Sequence, residues 1–183
     1  QLIGSQYRNG LSDAKTQTRL YQLFYRPESA EIQRKNRSFA PCICSKRDRE
    51  HEIMYVAIEG IDTAGKSTQI DRLRDLFLDA LITKEPGGTP TGIEIRNMVL
   101  HGNLKSKTAE LLLFLADRAE HTEEIILPNM NKLIISDRSA VSGMAYAHVQ
   151  NLCDESTLVM LNRLATNGYL PDTVFILKLT PEE

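Results

Sequence analysis

A three-layer α/β/α domain with a parallel sheet is the fold that this 183-residue chain predicts, over residues 54–183. Three observations carry that expectation. Tyr55–Gln69, YVAIEGIDTAGKSTQ, runs from an apolar strand through a glycine loop into a helix; further short apolar strands alternate with stretches of helical period; and the polar residues of interest fall where the strands end. Strands separated by helices pair in parallel through right-handed crossovers, and such sheets bind ligands at the carboxyl edge.

Val56, Ala57 and Ile58 read as a strand buried on both faces, and the loop after them has the form G-x-x-x-x-G-K-[ST]. Gly60 and Gly65 let the backbone N–H groups turn inward around a polyphosphate, Lys66 adds a point charge for the outer phosphates, and the Ser67 hydroxyl is placed to ligate Mg²⁺. From Lys66 to about Asp79, Ile70, Leu73, Leu76, Phe77 and Leu81 recur at three- and four-residue spacing, predicting an amphipathic helix laid on the sheet. A second strand follows at Leu81–Lys84. It ends in EPGGTPTG, Glu85–Gly92, whose Pro and Gly density predicts a loop without regular structure that lets a ligand approach the backbone. Helical patterns then cover Gly92–Leu100 and Lys107 to about Ile126, the second stopped by Pro128. LIISD, Leu133–Asp137, is a third buried strand tipped by an acid. Helices near Ser142–Val149 and Glu155–Asn167 come next, the latter capped by Asp154 and closed by Gly168, before a last strand at Thr173–Leu179.

Composition separates this domain from what precedes it. Residues 1–52 hold 10 Lys/Arg against 6 Asp/Glu, whereas the rest hold 12 against 18. RLYQLFY, Arg19–Tyr25, suits a short helix or strand, but Pro27, the polar run Glu31–Arg37 and Pro41 break any sustained period. Residues 1–53 therefore read as an extension apart from the domain, either disordered or upstream of a native start at Met54, and no nucleic-acid partner is expected for them. No apolar run approaches the ~20 residues of a membrane span, and the amino end lacks an apolar signal core. A cytoplasmic protein is the expectation. Cys42, Cys44 and Cys153 supply neither a disulfide framework nor a zinc site and read as reduced, incidental thiols.

At the predicted ligand edge, Asp137 ends a strand in the manner of an acid that holds Mg²⁺ or its water shell, with Arg138 directly after it. Phe114, Arg118 and His121 share one helical stripe, an aromatic face beside a guanidinium that would suit a base and a phosphate. Core packing is the alternative for Phe114, which lies in LLLFLA, and a salt bridge to Asp117 or Glu110 is the alternative for Arg118. His121 reads as a solvated position.

With EGIDTAGKSTQ, TKEPGGTPTGIEIR, LLFLADRAEH and SDRSAVSGMAY in this order, and NGYLPD before the last strand, the chain from about Met54 onward resembles the thymidylate kinases of bacterial type. That resemblance implies a P-loop NTPase domain of the nucleoside monophosphate kinase type. The implied reaction moves the ATP γ-phosphoryl to dTMP with Mg²⁺, on the route to dTTP, in a homodimer. By motif position the loop Gly60, Ile61, Asp62, Thr63, Ala64, Gly65, Lys66, Ser67 and Thr68 would hold ATP, and Lys66, Arg96, Arg138 and Asp62 would be catalytic. Asp62 would meet the sugar 3′-hydroxyl, Phe114 would stack on thymine, and Arg96, Arg118 and Arg138 would gather the acceptor phosphate. Glu85, Pro86, Ser142 and Tyr146 would complete the dTMP pocket, and Ser67, Asp137 and Glu85 would organise the metal. The chain departs from the family pattern at Ser139 and Ala147, and it carries no Arg within Asp62–Ala64. It also reaches Glu183 where the family's lid helix and last strand would begin, which implies a C-terminally truncated kinase of doubtful activity. Another nucleoside monophosphate kinase and a non-catalytic P-loop fragment are the competing readings.

Overall fold

The computed structural model describes residues 54–178; the expectations for residues 1–53, for Cys42 and Cys44, and for Leu179 lie outside the described residues. Strands β1 (Tyr55–Gly60), β2 (Leu81–Lys84), β3 (Ile134–Asp137) and β4 (Thr173–Leu177) form one parallel sheet in the order β2-β3-β1-β4. Helices α1 (Lys66–Leu76), α2 (Pro90–His101), α3 (Lys107–His121), α4 (Ala140–Val149) and α5 (Glu155–Ala165) supply the crossovers. All six residues of β1 are buried, as its uninterrupted apolar run requires of a central strand flanked by helices on both faces. Alternation along β3 sends Ile135 to a cluster with Ile58 and Ile70 of α1, and Ile134 to the opposite cluster with Tyr55 and Ile126. A third cluster, built on Leu111, Leu115, Met144 and Leu158, joins α3, α4 and α5.

The register ends β2 and β3 level, Lys84 pairing with Asp137, while β1 and β4 run two residues further: Ile58 pairs with Asp137 and Phe175, and Gly60 with Leu177. Gly60, Lys84 and Asp137 therefore present the following loops along a single edge. Asp154 caps α5 as expected, accepting from Thr157 N, and Gly168 closes it at φ +77° with its N–H on Arg163 O at 3.0 Å.

Local corrections have physical causes. Helix α1 ends at Leu76 rather than Asp79; Leu76 lies ~120° around the helix from Ile70 at ~100° per residue, and it and Phe77 stand exposed instead of packing on the sheet. Pro90–Gly92, expected as loop, is the first turn of α2: Thr89 accepts from Gly92 N at 2.9 Å, and Pro90 costs no hydrogen bond at that position. The long helix is α-helical only to His121, then widens to a π turn over Thr122–Ile126 and tightens to a 3₁₀ turn over Leu127–Asn129 around Pro128.

At Gly60 the backbone comes close to the neighbouring strand. At φ +151°, a Cβ built there would lie 2.8 Å from Leu177 O on the neighbouring strand. Gly60→Ala should therefore destabilise the chain by ~1–3 kcal/mol through enforced overpacking. Equilibrium urea unfolding reads this, and a change under ~0.5 kcal/mol, the range of an inert surface substitution, would contradict the packing described.

Candidate active site

A cleft of about 410 Å³ opens at the carboxyl edge, lined by the glycine loop, the end of β2 and the end of β3. The loop makes its turn with Thr63 at φ +74° and Gly65 at φ +81°. Left-handed geometry is costly for a β-branched residue, and such strain collects where a loop is shaped for a ligand. Gly65 offers no side-chain cap to α1, so the first-turn N–H groups remain directed at the cleft. Lys66 is buried, and its Nζ donates to Gly60 O at 3.0 Å and Ile61 O at 2.8 Å. Burial first, and Arg138 second, lower its pKa. Ser67 and Thr68 follow on the same wall.

Asp137 faces Lys66 and Ser67 across this space. Its Oδ1 is the one buried side-chain oxygen or nitrogen among the described residues without a hydrogen-bond partner. A free carboxylate oxygen in the same cleft as a hydroxyl and the loop lysine fits Mg²⁺, which takes few protein oxygens and completes its shell with water and phosphate. Glu85 does not share that fit. Both of its oxygens are engaged, Oε2 by Arg118 Nε at 2.9 Å and Oε1 by His121 Nδ1 at 3.0 Å.

Arg96 and Arg138 reach the cleft. Arg96 donates to Pro86 O at 3.1 Å, next to the cis Glu85–Pro86 bond. Arg138, itself at φ +70°, donates to Gly60 O at 3.1 Å, to Ser142 Oγ at 3.0 Å and to Asp62, whose side chain is 74% exposed. Arg118 is placed differently from the expectation. It lies buried beneath the cleft, held by Glu85, by Asn162 Oδ1 at 2.7 Å and by Ser139 O at 3.4 Å, rather than by Asp117 or Glu110. A guanidinium out of water needs a carboxylate and satisfied N–H groups, and the fold supplies them from three elements. His121, expected in solvent, is fully buried between Glu85 and Thr83 Oγ1, the latter at 2.6 Å. Burial pushes Glu85 upward, but Arg118 and His121 together hold its carboxyl below the usual value. Phe114 is half-buried and outside the three apolar clusters, and Tyr146 is likewise half-buried.

Glu59 and Asn162 carry no role in the sequence patterns, and Asp117 figures there only as a possible partner of Arg118. Glu59 accepts from Ser139 and Ser142, Asn162 holds Arg118, and Asp117 Oδ1 accepts from Gly87 N at 2.9 Å. Polar residues interrupting apolar faces were the available signal. Their partners were not visible, because each lies on another element. Burial raises the Asp117 pKa to about 6 against the opposing Gly87 hydrogen bond. The loop is pressed closely onto α3: a Cβ at Gly88 would sit 2.6 Å from His121 Cδ2.

A glycine loop that leaves the central strand of a parallel sheet and opens a helix with Lys and Ser, beside a free acid on the adjacent strand, defines a P-loop nucleotide-binding domain of the α/β class. Residues 58–183 match the family model for thymidylate kinase. The chain is 63% identical over 130 residues to a thymidylate kinase of Sulfurimonas denitrificans, covering 71% of this chain and 68% of that one. It is 58% identical over 130 residues to one from Aliarcobacter butzleri, with 71% and 67% covered. A solved thymidylate kinase from Ehrlichia chaffeensis superposes with a TM-score of 0.63 at 33% identity, covering 72% of this chain and 75% of that one. This chain belongs to the thymidylate kinase family.

Asp117 gives the site a pH signature. A carboxyl near its ordinary 3.8 when unfolded but at about 6 when folded binds its proton preferentially in the native state. Its contribution therefore favours the fold at low pH and is lost as the pH rises through about 6. Asp117→Asn keeps an acceptor for Gly87 N and removes the charge, so its melting temperature relative to the parent should rise between pH 5 and pH 8. A difference that stays constant over that range would refute the buried, proton-linked Asp117.

Proposed function

We propose that this chain transfers the γ-phosphoryl group of ATP to dTMP, yielding ADP and dTDP, within the kinase domain that begins at Met54. The observation that carries the reading is the convergence of Lys66, Arg96 and Arg138 on one cleft beside the free Oδ1 of Asp137. Gly60 through Thr68 would cradle the ATP phosphates, and Lys66 would exchange its two carbonyl partners for phosphate oxygens. Ser67 and Asp137 would hold Mg²⁺, which when bound neutralises charge on the phosphate oxygens.

On the acceptor side, Arg96 and Arg138 would grip the dTMP phosphate, Asp62 would meet the sugar hydroxyl, and Phe114 would stack on the base with Pro86 and Tyr146 shaping the pocket. Arg118, Glu85 and Ser142 would act mainly by holding that wall in place, given the partners each already has. A monophosphate oxygen is largely anionic near neutral pH, its second pKa being ~6, so no strong general base is needed. The step depends on aligning two anionic groups and offsetting their charge, and the cations at the cleft serve that purpose. A cytoplasmic homodimer is part of the same proposal. The dimer alone draws support from apolar side chains exposed on the packed helices α2 and α3, Ile93, Met98 and Leu112. Among the described residues, no helix is long and apolar enough to cross a membrane.

Coupled ADP release with dTMP, dUMP, CMP and AMP as acceptors tests the assignment, dTMP being expected as the preferred one. In that assay Lys66→Ala should lose ~2–4 kcal/mol of transition-state stabilisation, comparable to removing a preorganised donor, with the melting temperature little changed. Activity within ~10-fold of the parent, under ~1.4 kcal/mol, would overturn the role of Lys66.

Phe114→Ala should weaken dTMP binding by ~1–3 kcal/mol through lost stacking and leave ATP binding intact. Earlier melting with unchanged dTMP affinity would instead return Phe114 to the core.

A further inference from the structure

Glu59 is the penultimate residue of the buried strand β1, and its carboxylate is fully shielded from solvent. Its two oxygens accept from hydroxyls at the start of α4: Ser139 Oγ at 2.7 Å on Oε1, and Ser142 Oγ on Oε2. The second hydroxyl has another contact, accepting from Arg138 NH1 at 3.0 Å. A serine hydroxyl has one proton and two lone pairs. Because the carboxylate takes the proton, a lone pair is left facing the guanidinium.

Arg138 depends on that acceptor. The guanidinium's other partners are Gly60 O and the exposed carboxylate of Asp62, and of these two the first alone is on a buried residue. It also sits in a left-handed backbone conformation that a non-glycine residue adopts only when its surroundings enforce it.

We propose that Glu59 is a positioning residue for the acceptor phosphate, acting through Ser142 to orient the Arg138 guanidinium over the cleft. This rests on the assignment of Arg138 to the dTMP phosphate. Ser139 meets the same carboxylate but leads elsewhere: its hydroxyl caps α4 by accepting from Val141 N, and its link to Arg118 runs through the backbone carbonyl. The two serines therefore separate positioning from fold stability.

Calorimetric titration of the full chain with dTMP and with thymidine tests this. Arg138→Ala should weaken dTMP and spare thymidine. Glu59→Gln and Ser142→Ala should each weaken dTMP about tenfold, the scale of one hydrogen bond to a charged group, again sparing thymidine, and the double variant should be no weaker than either single one. Ser139→Ala should melt earlier and bind dTMP as the parent does.

If Arg138→Ala loses dTMP affinity while Ser142→Ala keeps it, the relay from Glu59 is wrong and the acceptor assignment stands. A silent Arg138→Ala removes both. Equal losses for thymidine and dTMP in the Glu59 and Ser142 variants would mean a purely structural role and would also overturn the proposal. Should Glu59→Gln fail to fold, Ser142→Ala alone decides it.

Discussion

One backbone oxygen holds the cleft together. The carbonyl of Gly60, at the end of the central strand, accepts from Lys66 Nζ and from Arg138 NH1. Those two cations come from segments 72 residues apart in numbering, one opening the first helix and the other following the third strand. Their common acceptor sets the distance between the donor and acceptor sides of the proposed reaction. It can do so because β1 is hydrogen-bonded on both flanks and buried throughout, so its end is as rigid as any point in the fold. The left-handed turns at Thr63 and Arg138 are tolerated next to that anchor.

Beneath the cleft lies a second, drier arrangement. Arg118 joins Glu85 at the end of β2, the Ser139 carbonyl before α4, and Asn162 within α5. His121 and Thr83 extend it along α3 and β2, and Asp117 fastens Gly87 from the same helix. Removing charges from water is expensive, and a buried pair contributes less net stability than its Coulomb attraction suggests. What this network supplies is geometry: it dictates how the Glu85–Thr89 loop meets α3, and hence where Pro86 O holds Arg96. Ser139 belongs to both networks, by its hydroxyl to Glu59 and by its carbonyl to Arg118.

Much of this was legible in the sequence wherever the cause is local. Strand β2 falls on the residues expected, since LITK is apolar to its polar tip and bounded by a Pro-Gly loop. Asp154 and Gly168 mark the ends of α5 because capping acts within a few residues. The glycine loop was recognisable for the same reason, its strand, turn and helix lying within fifteen residues, Tyr55–Gln69. Periodicity failed at Leu76 and Phe77, where the chain leaves the helix before a further turn can bury them, and at Pro90, where loop chemistry and a helix start look alike. The fates of Arg118 and His121 were out of reach. Arg118 finds partners 33 and 44 positions away, and Glu59 meets Ser142 at a separation of 83. A helical stripe shows that residues share a face, not whether that face meets water, ligand or a buried acid.

The resting state of Lys66 bears on which anions the cleft admits. Its ammonium carries three N–H donors and two already meet carbonyls, so an arriving anion finds one donor open and must displace bonds for the rest. A small monovalent ion can take the open donor but offers too little to displace the other two. A polyphosphate can compensate, since it meets the loop N–H groups, the lysine and a metal at once. Under the proposed function the loop would thus grade anions by how many contacts they make, a simple ion holding one lysine donor and a chain of phosphates taking all three.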